Sequence, residues 1–278
     1  MLTTHSSRRL STRRGVRRGL LMVTAACTAA VTLMGTNASA TAADHYVALG
    51  DSYSSGVGAG SYISASGSCD RSTNAYSQLW ANSRHPASYV SVACSGATTQ
   101  DVLNNQISAL SSSTTLVSIT IGGNDVGFST VMATCVLAPT STCESAVAGA
   151  DALVAGVLPT ELNTVLQTVR RDAPAARIVV LDYPELYDLS RSSGCIGLST
   201  ADRTALNQGA DQLDSAISAA AARNGDTFTD VRPAFAGHEI CDSGSWLHSV
   251  TWPLGESYHP SASGQELGYL PKFTAAAG

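Results

Sequence analysis

Five short runs rich in apolar and β-branched residues recur along the chain, at 45–49, 89–93, 116–121, 177–182 and, more weakly, 227–231. Each has the length of a strand and is flanked by turn-forming residues, the pattern of a strand buried on both faces. Between them, apolar residues recur at helical spacing. Val147, Val154, Val157, Leu158, Leu162, Val165 and Val169 mark one stretch, and Leu206, Ala210, Leu213, Ile217 and Ala220 another. Steps of three and four place such residues on one helix face. Pro159 interrupts the first stretch and predicts a kink or two separate helices. Strand and helix in alternation predict an α/β fold, a three-layer α/β/α domain around a five-stranded parallel sheet. Ligands of such sheets bind beyond the carboxyl ends of the strands. The segments at 50–54 (Gly-Asp-Ser-Tyr-Ser), 94–98 (Cys-Ser-Gly-Ala-Thr) and 122–125 (Gly-Gly-Asn-Asp) should therefore meet at one edge.

The first forty residues break this pattern. They hold six arginines, no acid, an apolar run from Leu20 to Met34 and the small-residue site Ala38-Ser39-Ala40. The run is short for a bilayer crossing and reads as a signal peptide over 1–40, with a single domain over 41–278 and secretion as the destination; a retained membrane anchor is the competing reading. Six of the sixteen basic residues and none of the twenty-one acids lie in this leader, so the remainder carries ten against twenty-one, a formal net charge of −11. An acidic protein without a basic stripe argues against a nucleic-acid partner. No linker or repeat divides it, no membrane segment follows the leader, and a monomer is expected.

Cys27 lies in the leader, and six cysteines remain: Cys69, Cys94, Cys135, Cys143, Cys195 and Cys241. An even count in an exported chain points to disulfides, and the absence of any C-x-x-C pair speaks against zinc. Spacing alone leaves the pairing open; pairing neighbours in order closes the shortest loops.

The chemistry concentrates in four places. Ser52 follows the first strand within Gly-Asp-Ser, where a glycine permits a tight turn and the residues after it can open a helix with free N–H groups. This is not the G-x-S-x-G elbow, because Ser54 stands where its second glycine would be. Gly96 follows the second strand, where the lack of a Cβ would let a backbone N–H approach a bound oxygen. Asn124 follows two glycines after the third strand and offers a side-chain amide as donor. His259 precedes Pro260, which keeps it off the helix that follows. A serine hydroxyl needs a base to remove its proton and fixed donors for the oxyanion, and these four residues can supply both.

Gly-Asp-Ser at 50–52, Gly96, Gly-Gly-Asn-Asp at 122–125 and His259, in that order, resemble the four blocks of the SGNH (GDSL) hydrolase family. Within it, the six cysteines and the length are most similar to the secreted streptomycete lipases and phospholipases A1. The resemblance implies a flavodoxin-like sheet, Ser52 as nucleophile and His259 as general base. It also implies an oxyanion hole made by the N–H of Ser52, the N–H of Gly96 and the side-chain amide of Asn124.

The family usually places Asp three residues before the histidine, and this chain has Glu256 there. Two orienters for the imidazole stay open: the Glu256 carboxylate and the main-chain carbonyl of Ser257. The carbonyl is preferred, since glutamate is one methylene longer and catalytic geometry tolerates only about half an ångström. The expected activity is hydrolysis of lipid acyl esters at an interface, of phospholipase A1 or lipase type, without metal or cofactor. The alternatives are a short-chain or carbohydrate acyl esterase and a noncatalytic secreted binding protein. Phe128, Val131, Met132, Leu137 and Trp252 are candidate linings for an acyl group.

Overall fold

The structure, a computed structural model, describes residues 43–191 and 197–278. The expected signal peptide, Cys27 and Cys195 lie outside the described residues.

Five strands, β1 (His45–Gly50), β2 (Ser88–Ser91), β3 (Leu116–Thr120), β4 (Arg177–Leu181) and β5 (Thr227–Thr229), form one sheet in the order β2-β1-β3-β4-β5. Every pairing is parallel. The middle strands are buried almost throughout and the edge strand β2 alternates exposed and half-buried, which is why their apolar runs are continuous and its run is not. Two ends fall two residues short of the sequence expectation, and the others agree within one. β2 stops at Ser91, and β5 stops at Thr229, because the Val231 N–H turns to the Asp182 carboxylate at 2.7 Å instead of continuing the ladder.

The helices are α1 (Ser52–Ser55), α2 (Tyr76–Arg84), α3 (Thr99–Asp101, continued as irregular turns to Ala109), α4 (Phe128–Leu137), α5 (Thr140–Ala155), α6 (Leu158–Asp172), α7 (Thr200–Asn224), α8 (Arg232–Phe235) and α9 (Leu270–Ala277). On one sheet face, α2 and α9 bring Tyr76, Trp80 and Phe273 around Tyr46 of β1, with Tyr46 to Phe273 ring centroids 5.3 Å apart. On the other, α6 and α7 bury Leu158, Leu162, Val165, Leu213 and Ile217. The stretch containing Pro159 is two helices inclined by 49°: α5 ends at Gly156, and Pro159 sits in the first turn of α6, where its missing N–H has no helical partner to lose. Val157 falls in the break and is half exposed, so the single apolar face expected across it is interrupted. α7 opens on a capping box between Ser199 and Asp202 and closes at Gly225, whose φ of +68° favours glycine.

Cys69 pairs with Cys94 and Cys135 with Cys143, two of the neighbour pairings that close the shortest loops. Cys241 is also disulfide-bonded. The bridge across the 25-residue separation fastens the loop after α1 to the segment after β2, just before Gly96. Closing a loop of that size contributes about 3 kcal/mol in the chain-entropy picture. Among the described residues no single helix is long and apolar enough to cross a membrane, and no group of side chains is arranged to hold a metal ion.

Candidate active site

β1 and β3 are neighbours whose chain connections leave in opposite directions, so a crevice opens beyond their carboxyl ends. Gly50 ends β1 with φ +120°, and a Cβ there would come within 2.4 Å of the Thr120 carbonyl; only glycine lets the two strands close so tightly before the turn. The side-chain amide of Gln106 clasps its peptide from both sides, accepting from the Gly50 N–H at 2.7 Å and donating to its carbonyl at 2.9 Å. Asp51 caps α1 by accepting the Tyr53 N–H at 3.0 Å, which leaves Ser52 as the first helical residue, almost buried, with its N–H outside the helical bonding.

Asp51 also joins two of the strand-end segments. Its other oxygen accepts from the Tyr183 hydroxyl, and that hydroxyl accepts from the Gly123 N–H at 3.1 Å. Burial pushes the Asp51 carboxyl up to about 7, against the lowering effect of the Tyr183 and Tyr53 bonds. Burial, with the nearby Asp51, holds the Tyr183 hydroxyl well above the usual phenol range, so it stays a donor. Asp125 makes a parallel tie, accepting from the Thr99 N–H at 3.0 Å and its hydroxyl at 2.6 Å. The Asn124 side-chain amide donates to the Ala97 carbonyl at 3.0 Å; an amide nitrogen carries two hydrogens, so this bond orients the group and leaves a second donor. Gly96 has φ +78° and open space where a Cβ would be. The left-handed backbone there is one that glycine adopts without strain. Asn124 lines the same cleft as Ser52, and Gly96 lines another hollow, together with Cys94 and Gln106.

His259 arrives from the opposite side. Its Nε2 lies 2.8 Å from Ser52 Oγ and its Nδ1 3.0 Å from the Ser257 carbonyl. A carbonyl only accepts, so Nδ1 carries the proton and Nε2 is the free acceptor facing the serine hydroxyl. Tyr258, between them, has φ +65°, a left-handed conformation that folds the Ser257 carbonyl back onto the ring of the next residue but one. That conformation is held by the Tyr53 hydroxyl donating to the Tyr258 carbonyl at 2.6 Å, and the Tyr53 ring lies 5.2 Å from the imidazole. The Glu256 carboxylate faces elsewhere and accepts from the Tyr62 hydroxyl at 2.7 Å. Burial pushes the His259 ring down to about 4, opposed by the bond to Ser257, so the imidazole is neutral near pH 7.

Residues that sequence reasoning missed hold these pieces together. Gly58 passes so close to the histidine segment that a Cβ would lie 3.0 Å from that of His259, and its carbonyl accepts from His248 Nε2 at 2.8 Å. Tyr183, Gln106 and Gly58 stand outside the four blocks and carry no spacing signal; only the folded chain brings them to the site.

The cleft beside Ser52 runs between α4, α5 and α7 over Val126, Phe128, Val131, Val147, Leu206 and Leu213. Phe128 and Val131 thus line it as expected, and three other candidates do not. Met132, one position further round α4, turns into the core, whereas Leu137 at the end of α4 and Trp252 in the histidine loop are 85% and 83% exposed.

The family description that matches this chain, over residues 48–267, is the GDSL-like lipase/acylhydrolase family. The chain is 52% identical to Lipase 1 of Streptomyces coelicolor over 259 residues, covering 93% of this chain and 95% of that protein. It is 48% identical to a lipase of Streptomyces rimosus over 272 residues, covering 96% and 99%. Among solved structures, phospholipase A1 from Streptomyces albidoflavus superposes with a TM-score of 0.82 at 54% identity, covering 84% of this chain and all of that one. This chain belongs to the GDSL-like lipase/acylhydrolase family and is a carboxylic ester hydrolase.

Proposed function

We propose that the protein is an exported serine esterase that cleaves acyl esters of lipids, of phospholipase A1 or lipase type, through a Ser52–His259 pair. The observation that carries this reading is the continuous line from the Ser257 carbonyl through His259 to Ser52 Oγ, set at the mouth of an apolar cleft. As Ser52 Oγ attacks the ester carbon, His259 Nε2 takes its proton. The oxyanion is held by the N–H of Ser52, the N–H of Gly96 and the second hydrogen of the Asn124 amide. The imidazolium then gives its proton to the departing alcohol, leaving an acyl-enzyme, and water activated by the same nitrogen releases the fatty acid. The Ser257 carbonyl keeps the ring turned for both transfers and stabilises the charged form.

The cleft supports a long acyl chain, since apart from Asp51, Ser52, Tyr53, Asn124, Asp151 and Tyr183 its lining is apolar. The leader and the disulfides support export to an oxidising compartment. The test is a panel of p-nitrophenyl esters of increasing chain length together with triacylglycerol and a phosphatidylcholine bearing different acyl groups at its two positions. Sustained kcat/KM on long chains and release of the sn-1 acid are expected. Activity confined to acetyl and butyryl esters would overturn the lipid reading in favour of a short-chain esterase.

A further inference from the structure

The segment from His248 to His259 is a compact loop closed at its base by main chain. The His248 N–H donates to the His259 carbonyl and the Tyr258 N–H to the His248 carbonyl, each at 3.0 Å. Inside the loop, the Glu256 N–H donates to the Pro253 carbonyl at 2.9 Å, the Ser257 N–H to the Leu254 carbonyl at 3.1 Å and the Thr251 N–H to Ser257 Oγ at 3.0 Å. These bonds brace a loop whose tip turns apolar side chains outward: Val250 is 54% exposed, Trp252 83% and Leu254 63%. A second loop stands beside it, tied on by the Tyr62 hydroxyl, which donates to Glu256 and accepts from the Gly58 N–H at 2.9 Å. Tyr62 and Ile63 of that loop are also exposed.

Scattered apolar residues on a surface need no explanation, but here five sit on two cross-tied loops beside the His259 ring, and none of them joins the core. The charges narrow the choice of occupant. Between His248 and His259 the chain has no Lys or Arg, and its one acid, Glu256, is engaged by Tyr62. The protein beyond its leader is strongly acidic, so attraction to an anionic surface is disfavoured. A tryptophan flanked by aliphatic residues, without charge, suits the boundary between headgroups and acyl chains.

We propose that the tip formed by Val250, Trp252 and Leu254, with Tyr62 and Ile63 alongside, is a docking element for a zwitterionic phospholipid surface. It enters the boundary layer and seats the mouth of the cleft against the lipid from which a substrate molecule is drawn. The proposal deepens the lipid reading above and rests on it. The loop that meets the surface is the loop whose base carries His259, so docking and the reaction centre share one rigid piece.

The test uses the full protein and a Trp252→Ala/Leu254→Ser variant, each with and without Ser52→Ala to prevent hydrolysis during binding. With phosphatidylcholine vesicles, the unsubstituted tip should co-sediment and its fluorescence should shift to the blue. Trp80 is buried and Trp246 is stacked on His238 at 3.7 Å, so the shift reports Trp252. The tip variant should lose about tenfold or more in partitioning and in vesicle hydrolysis, the scale set by withdrawing two large side chains from an apolar phase. Its turnover of dissolved p-nitrophenyl butyrate should stay within twofold, and its melting curve should be unchanged. Trp252→Phe should restore most of the binding. Vesicle hydrolysis equal to that of the parent would overturn the proposal, as would binding that high salt abolishes and the tip variant keeps. Self-association lost in the variant, without any vesicle binding, would assign the tip to a second copy of the chain and also overturn it. Vesicle binding that depends on Trp252, in a protein without activity on phosphatidylcholine, would reject the phospholipase reading and leave the docking element standing.

Discussion

The two walls of the cleft are built in different ways. The serine wall grows out of β1 and β3, and each tie in it uses a side chain: the Asp51 carboxylate bonds the Tyr183 hydroxyl and the Tyr53 N–H, the Asn124 amide the Ala97 carbonyl, and the Gln106 amide the peptide groups of Gly50. The histidine wall is a loop with no strand beneath it, held by main-chain bonds and by the left-handed turn at Tyr258. Donors for a developing charge must be in place before reaction, and a rigid sheet edge supplies that. A base must only keep its ring turned, and one peptide carbonyl does so. The serine wall should therefore be sensitive to side-chain changes around it, and the histidine wall tolerant of them at positions 256 and 257, though not at the ring or at the residues that shape the Tyr258 turn.

The largest effect tests whether the walls act as a unit. Ser52→Ala and His259→Ala should each lower kcat by about 10⁶, as in serine hydrolases where nucleophile and base fail together, with melting curves unchanged. Substantial turnover by folded Ser52→Ala protein would dissolve the pair. Next comes the serine wall: Asn124→Ala should cost about 10² to 10³ in kcat, the loss expected for one oxyanion donor, and a loss within twofold would remove it from the hole. Tyr183→Phe leaves the ring and deletes the hydroxyl joining Asp51 to the Gly123 N–H. We expect about 1–3 kcal/mol less stability and about tenfold lower kcat at unchanged KM, because two buried groups lose their partner. A change in KM alone would mean that Tyr183 serves substrate binding instead.

The pH profile sharpens the contrast from the histidine side. As the proposed base, His259 works when neutral, and its ring is neutral in the folded protein above about 4, so kcat/KM should hold as the solution is acidified and fall only through that value. An acid limb centred at 6.5, the ordinary value, would show a solvated ring. The same depression makes the unfolded chain the better proton binder between these two values, so this residue's share of stability shrinks as pH falls from 6.5 towards 4. The smallest effect is the most diagnostic: Glu256→Ala should retain activity within about tenfold, whereas loss of a true triad acid costs about 10⁴. A fall of the larger size, with melting unchanged, would reinstate the carboxylate as orienter.

The central strands were legible because burial on both faces leaves a run that is mostly apolar, and the candidate site segments because they follow strand ends directly. The Ser257 carbonyl, preferred from sequence as orienter, lies 3.0 Å from Nδ1, while the Glu256 carboxylate accepts from Tyr62. Tyr183 was not legible. One tyrosine after β4 looks like any core aromatic until the sheet sets it beside Asp51. Trp252 was misjudged for a related reason: hydrophobicity along a chain does not say whether a side chain faces a pocket or water, and here the loop's own hydrogen bonds turn it outward.

The orienting carbonyl also has a genetic consequence. Every amino acid presents a peptide oxygen, so no missense codon at position 257 deletes the group that turns the imidazole. Its own φ of −58° is one that even proline adopts. Mutational pressure on the proposed base is thereby moved to positions that shape the turn: Tyr258, whose left-handed backbone resists β-branched replacements, Gly58, where any Cβ crowds His259 Cβ and the Pro260 carbonyl, and Tyr53, whose hydroxyl pins the turn. In a library of single substitutions selected for activity, codons 256 and 257 should drift while 53, 58 and 258 stay narrow, a signature opposite to that of an enzyme whose histidine leans on an acidic side chain.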